Sequence, residues 1–470
     1  MRPNRLFSSI ATAALLAPAL ASHAQMTPEL HDRIDAIAKQ VLAQTGVPSA
    51  SVGIVLDGKV ALTSAYGLAR IAPPKPADPA MAYPIGSISK QFTAAAVLLL
   101  QQEGKLSLDD KVSKYFPELT RADEITLRNL MTMTSGYEDF APQDYIIPAF
   151  RKPENPLDTV HTWAGKPLDF TPGTQWQYSN TNYVLVALIV QKVSGEPFYQ
   201  FLRERVLAPL ALPDVFNTYA EREKLQVTGY ISNAMAPPRE LPLEAAGWYF
   251  GDGDLAMPAS TLLQWDLSII NRTLLSSQSY DLMETPFRLK DGRDSTYGLG
   301  VHVRTRDGHL MIEHSGEVGG FVSENVVYPN ERIAVVVLTN EVASSAAPKI
   351  AEAIVPLLLQ SRQPGQQTSA DPFAAQLPAI LASLQAGKID RSLLTSDASD
   401  YFSPDALADF RSTLAPLGTV ARVTRSYSIL RGGMSFAEYR VTFSGGTTIM
   451  VSIGLMPDGR IEQLMVTGKA

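Results

Sequence analysis

The chain of 470 residues contains no cysteine. That absence excludes disulfides, thiolate metal sites, a cysteine nucleophile and a lipid-anchored cysteine. Charged residues are sparse at 19%, and acids outnumber bases 47 to 40, for a formal charge of −7. A mildly acidic surface repels phosphate backbones, so nucleic acid is not expected as a partner. Beyond the first 24 residues no apolar run is long enough to span a bilayer. The best, residues 183–190, is far too short, and no stable membrane insertion is expected. The six histidines are scattered and no His-Glu-x-x-His occurs, so no metal is expected. A Gly-x-Ser-x-Gly elbow is missing too, which argues against an α/β-hydrolase.

What is present is ample core material, with 45% hydrophobic residues. The length predicts two folded units, three at most. Residues 1–24 read as an export signal: Arg2 and Arg5 lead, residues 6–21 are mostly apolar, and Ser22-His23-Ala24 supplies small residues for cleavage. The mature chain would start at Gln25 with a charge of −9. An exported protein without disulfides suits a bacterial periplasm, across the inner membrane.

Hydrophobic periodicity predicts a helix over residues 26–44, then a hairpin of strands 50–56 and 60–66 turning at Asp57-Gly58. Residues 89–102 read as an unbroken helix, and a long, mostly helical middle runs to about residue 289. Strands return at 297–304, 309–315, 320–328 and 333–339, before a helix over 345–360. Hairpin turns dictate antiparallel neighbours. The fold class expected is therefore α/β, with one antiparallel sheet drawn from both ends of a domain, flanked by helices and holding a helical insert. That domain would cover 25–361. Residues 362–372, rich in Gln, Pro and Gly, read as a linker. Residues 373–470 read as a small α+β accessory domain, with helices 373–386 and 404–414 before four strands. Its pattern resembles NTF2-like or cystatin-like units.

Three short motifs could carry chemistry. Ser87-Ile88-Ser89-Lys90 is the sole Ser-x-x-Lys, and residues three apart on a helix share a face, so the amine can reach the hydroxyl. Taken alone it reads more readily as a capping serine followed by a solvated lysine. Tyr178-Ser179-Asn180 precedes a helix over 181–193; it is either an ordinary cap or a proton carrier with an amide donor to substrate. His314-Ser315-Gly316, running into Glu317, ends a strand before a Gly-rich turn. It is either an edge strand or the wall of a cleft.

In this order, the three motifs resemble those of the serine β-lactamase and penicillin-binding protein superfamily, most closely its class C β-lactamase-like branch. That branch also holds esterases, D-alanyl-D-alanine carboxypeptidases and D-aminopeptidases. Further stretches are similar: residues 104–110, 125–130 running into Thr134-Ser135-Gly136, Pro172-Gly173, and Tyr297-Gly298-Leu299-Gly300. The resemblance implies a serine hydrolase working through an acyl-enzyme on an ester or amide, with no cofactor. Ser87, Lys90 and Tyr178 would be catalytic, while Asn180, His314, Ser315 and Gly316 would bind substrate. The backbone N–H groups of Ser87 and Glu317 would form the oxyanion hole. Lys90 and Tyr178 would titrate as a pair, and neither is singled out as the base.

Two departures shift the expected activity. Class C β-lactamases usually carry lysine where His314 stands, and a histidine is only partly charged near neutrality. Weight therefore moves from β-lactams toward the esterase and D-amino-acid peptidase relatives. The middle motif is the tyrosine form, so no separate glutamate base is implied. The alternative reading is a non-catalytic or slowly acylating penicillin-recognising sensor. Intact Ser87, Lys90 and Tyr178 weigh against it.

Overall fold

The computed structural model describes residues 26–142, 146–232, 237–359, 372–431, 434–456 and 458–469. The expected leader, 1–24, lies outside these, as do residues 362–371 of the expected linker. Among the described residues no helix is long and apolar enough to cross a membrane.

Helix α1 (Pro28–Thr45) leads into the hairpin of β1 (Ser49–Leu56) and β2 (Lys59–Arg70). Asp57 and Gly58 hold φ of 55° and 70°, the left-handed pair that a two-residue turn requires. The short β3 (Lys75–Pro76) flanks β2. Four strands from the far end of the domain complete the sheet: β4 (His302–Arg306), β5 (His309–Val318), β6 (Phe321–Tyr328) and β7 (Ile333–Thr339). The order is β3-β2-β1-β7-β6-β5-β4, antiparallel throughout. Strands from both ends of the domain share one sheet, as expected, and they join where β1 lies beside β7, with Ala50 opposite Thr339 and Val52 opposite Val337.

Alternation along β7 explains the layers. Val335 and Val337 point to one face, where they pack with Ile34 of α1 and Ile350 and Ile354 of the helix Ala346–Leu359. Val336 and Leu338 point to the other and join a larger core with Phe92, Leu263 and Trp265. That second face carries the inserted helical block. Its central helix, α2 (Ser89–Gln102), has 11 of 14 residues buried, as an all-round apolar helix must. Consequently Lys90, on its first turn, is driven into the interior.

One strand expectation fails at its start. Residues 297–301 do not extend β4, which begins at His302. Thr296 and Gly300 take φ of 58° and 77°, and a Cβ on Gly300 would sit 2.9 Å from the Lys90 carbonyl. The backbone turns to close over α2 instead of pairing. Beyond the first domain, helices Pro372–Gln385, Ser396–Tyr401 and Pro404–Leu414 cover one side of a four-stranded antiparallel sheet. Leu377, Leu381, Val441, Val451 and Ile453 form a separate apolar cluster there.

Candidate active site

Ser87 sits in a single 3-10 turn, Gly86–Ile88, that runs straight into α2. The end of β5 passes so close to this turn that only glycine fits on either side. A Cβ on Gly316 would lie 1.9 Å from the Ile85 carbonyl, and one on Gly86, whose φ is +51°, would lie 2.7 Å from the Glu317 nitrogen. Ser323 Oγ straps the crossing by donating to the Ile85 carbonyl at 2.8 Å. Two glycines therefore bring the backbone of Glu317 against that of Gly86-Ser87.

Lys90 is fully buried and its Nζ lies 2.9 Å from Ser87 Oγ. The same nitrogen bonds Asn180 Oδ1 at 2.7 Å and the Asp252 carbonyl at 2.9 Å. Three partners exhaust the nitrogen's hydrogen-bonding directions, so its orientation is fixed. The Asp252 carboxylate stands 3.6 Å away, with both side chains at 0% exposure. Burial pushes Lys90 below an ordinary lysine, opposed by the pull of Asp252, Asp139 and Asp254. Burial likewise pushes Asp252 up to about 7, against the Lys90 charge, and Asp254 up to about 8. The loop bearing these acids is tied to α2, because Thr93 Oγ1 donates to the Gly251 carbonyl and the Leu255 N–H donates to Ser89 Oγ.

Asn180 opens the helix Asn180–Ser194, and its backbone N–H donates to Asp139 Oδ1 at 2.9 Å. Tyr178 precedes it, and its ring centroid lies 5.0 Å from Lys90 Nζ. The phenol oxygen is buried and closes no full hydrogen bond among the described residues. Burial raises its pKa well above the usual value, while the Ser87 hydroxyl beside it pulls the other way. Hydroxyl, amine and phenol thus meet in one place, although they are far apart in the chain.

His314 is 3% exposed and uncharged. Its Nδ1 bonds the Ser315 carbonyl at 2.5 Å; a carbonyl only accepts, so Nδ1 carries the hydrogen. Nε2 then accepts from the Tyr297 hydroxyl at 2.9 Å. Burial, with His302 and Lys90 adding, pushes His314 down to about 3. The partial charge expected at neutral pH is therefore absent. Desolvation removes it, and both ring nitrogens are already engaged.

A cavity of about 560 Å³ opens over Ser87 and is lined by Tyr178, Asn180, His314, Ser315 and Glu317 among others. From the loops at residues 140–170 and 248–254, Ala141, Pro142, Ile146, Tyr249 and Gly253 also face it. Trp248 packs on Phe140 and Phe150, and Phe250 on Phe198 and Tyr199, away from the cavity. Trp163 packs against the main core, and Tyr145 lies outside the described residues. Sequence reasoning missed Asp139, Glu244 and Asp252, and it named Tyr297 only within a stretch similar to the family, with no role at the site. Glu244, 2% exposed, accepts from the Gly319 N–H at 2.9 Å and from the Tyr219 hydroxyl at 3.2 Å. Asp252 had a faint signal, since two acids interleaved with glycines (Gly251-Asp252-Gly253-Asp254) are unusual in an apolar neighbourhood. Among the described residues no group of His, Asp and Glu is arranged to hold a metal ion.

A three-layer fold with serine, lysine and tyrosine converging beneath a cleft defines a class, that of the β-lactamase fold. Residues 34–358 match the model of the Beta-lactamase family, and the chain belongs to that family. Protein flp of Staphylococcus aureus (strain NCTC 8325 / PS 47) is 29% identical over 340 residues, 70% of this chain and 66% of that protein. The chain thus spans just under two thirds of the length of such curated relatives. Among solved structures, the octameric penicillin-binding protein homologue from Pyrococcus abyssi is similar with a TM-score of 0.62 at 22% identity, over 93% of this chain and 99% of that one. A D-amino acid amidase from Ochrobactrum anthropi SV3 gives 0.61 at 21%, over 71% and 100%. The β-lactamase/D-alanine carboxypeptidase from Pseudomonas syringae gives 0.59 at 18%, over 72% and 100%. These likenesses show the fold.

Proposed function

We propose that the protein is a serine hydrolase that forms an acyl-enzyme at Ser87 from an ester or amide and releases it to water. The observation that carries this reading is the 2.9 Å contact of Lys90 Nζ with Ser87 Oγ at a cavity that Tyr178 also lines. A neutral amine has two N–H donors and one lone pair. Asn180 Oδ1 and the Asp252 carbonyl take the donors, which leaves the lone pair for the Ser87 proton. As Oγ attacks, its O–H bond breaks, the proton passes to Nζ, and the carbonyl π pair moves onto the substrate oxygen. The N–H groups of Ser87 and Glu317 would receive that oxyanion, each worth about 3 kcal/mol in the transition state. Tyr178, against the Ser87 hydroxyl, would complete the proton path to the leaving group.

Charge narrows the acyl donor. The described lining residues include the acids Asp139, Glu244 and Glu317 but no lysine or arginine, and His314 is neutral. A substrate carboxylate would find no counter-charge at the surface of this cleft. The balance supports an uncharged ester, or an amide bearing a free amine of the D-amino-acid type, over a penicillin or a D-Ala-D-Ala peptide. Turnover of p-nitrophenyl acetate should vanish in Ser87→Ala while the thermal melt stays cooperative. Retained turnover would overturn the assignment, and a stoichiometric burst without turnover in the wild type would make the protein a slowly acylating binder. Across nitrocefin, D-Ala-D-Ala peptides and D-amino-acid amides, the carboxylate-bearing members should be the poorest substrates.

A further inference from the structure

Lys90 is fully buried beside a carboxylate to which it donates no hydrogen bond. Its Nζ spends its directions on Ser87, Asn180 and the Asp252 backbone carbonyl, and the Asp252 carboxylate waits 3.6 Å off. Neither Asp252 side-chain oxygen has a hydrogen-bond partner among the described residues, and the residue is 0% exposed. An ionised carboxylate with no donors and no water is costly unless a cation faces it. The cation within reach is Lys90. Holding the acid there serves no packing purpose that an apolar residue would not serve better.

We propose that Asp252 is a positioning residue whose buried carboxylate is the counter-charge for the Lys90 ammonium formed when Ser87 gives up its proton. The inference rests on the reading of Ser87 as nucleophile and Lys90 as its base. During attack the Ser87 O–H bond breaks, a new Nζ–H bond forms, and positive charge develops on Lys90 while negative charge develops on the substrate oxygen. A carboxylate already fixed 3.6 Å away stabilises that ammonium without reorganisation. When the intermediate collapses, the proton leaves Nζ for the departing alkoxide or amine and the pair returns to its starting state. The other titratable groups facing the pair are Asp139 from the loop after Ser135, Asp254 from its own loop, Tyr178 just before the helix Asn180–Ser194 and Tyr183 in its first turn, Tyr249, and His314 from β5. Asp139 and Asp254 act in the same direction as Asp252 on Lys90, but desolvation opposes all three. Asp252 has the largest Coulombic effect of the three.

Asp252→Asn keeps the backbone carbonyl and the shape while removing the charge. Without the nearby anion Lys90 binds its proton less tightly, so the amine form persists to lower pH and is a weaker base. The rate of Ser87 acylation by p-nitrophenyl acetate should therefore change in two ways. The acid limb of its pH profile should move down by about one unit or more, and the plateau should fall by about tenfold or more. A merely structural role would lower the plateau and leave the limb in place, which overturns the proposal. An unchanged plateau and limb overturn it equally. If the asparagine variant gives no cooperative melt, Asp252→Ser, with less bulk and the same carbonyl, is read by the same profile. Labelling of the wild type by a fluorophosphonate at Ser87 separates the two claims. No labelling defeats the nucleophile assignment itself, whereas labelling with an unmoved limb in the variant defeats only the role of Asp252.

Discussion

A backbone N–H cannot be mutated away, but Gly86→Ala can push one out of place. Gly86 has φ of +51° and its missing Cβ would sit 2.7 Å from the Glu317 nitrogen. Ordinary contact begins at 3.4 Å, so the end of β5 must retreat by about 0.7 Å. The crossing cannot yield easily elsewhere, because Ser323 ties β6 to the Ile85 carbonyl and Gly316 leaves no slack against the same atom. Two costs follow. Left-handed backbone in an L-residue destabilises the fold by about 1–2 kcal/mol. A donor displaced from about 2.9 Å to about 3.6 Å no longer makes a hydrogen bond, and losing one oxyanion donor costs about 2.7–4 kcal/mol, or 10²–10³ in kcat. Steady-state hydrolysis of p-nitrophenyl acetate, alongside a thermal melt, should give a kcat depressed about a hundredfold or more with KM little changed, since the ground-state carbonyl gains less from the hole than the oxyanion. A variant that melts cooperatively and keeps kcat within about threefold of wild type would refute the assignment of Glu317 to the hole.

Two further expectations probe burial. Tyr178→Phe removes a buried oxygen that closes no full hydrogen bond among the described residues, so Tm should hold or rise, while kcat should drop about 10²-fold or more; a fall in Tm with kcat intact would contradict both halves. Glu324, opposite Ser315 on β6, is pushed up to about 8 by burial, with Glu313 and Glu352 adding and Arg304 opposing. A carboxyl whose folded pKa is raised binds its proton more tightly when folded, so stability is present at low pH and is lost as pH rises from about 4 through 8. Glu324→Gln has no such loss, and its Tm relative to wild type should climb between pH 5 and pH 8; a pH-independent difference would show that the group does not titrate there.

The architecture was legible because hairpin chemistry is local. Asp57-Gly58 demands a tight reversal, and the close-set strands after residue 309 leave no room for crossovers, so an antiparallel sheet joined from both ends of the domain follows. The strand expected from residue 297 was misread because its Tyr-Gly-Leu-Gly pattern also suits a turn. What decides is the approach of Gly300 to the Lys90 carbonyl, a contact 210 residues away in sequence that no window can see. The three candidate side chains could be nominated because their motifs, taken in order, resemble those of a family; locally, Ser87 and Lys90 lie one helical turn apart and Tyr178 precedes a clear helix start.

The charges around them could not be named in the same way. A reference pKa describes a residue in water, and it led to a half-charged His314; the folded chain places that ring at 3% exposure between Tyr297 and a carbonyl, where the charge has no support. Asp139 was invisible, and Asp252 nearly so, for the converse reason. Acids in loops are ordinarily solvated, and only folding brings these two beside a lysine from another element and takes away their water. The same burial that neutralises His314 gives Asp252 its leverage on Lys90, because a charge 3.6 Å away is weak in water and strong where water is excluded. On the proposed mechanism, specificity and base strength in this cleft follow from one cause, desolvation by the core around α2. A substitution that lets water reach Lys90 should thus weaken the pull of Asp252 on its proton and, with it, the coupling between substrate charge and rate.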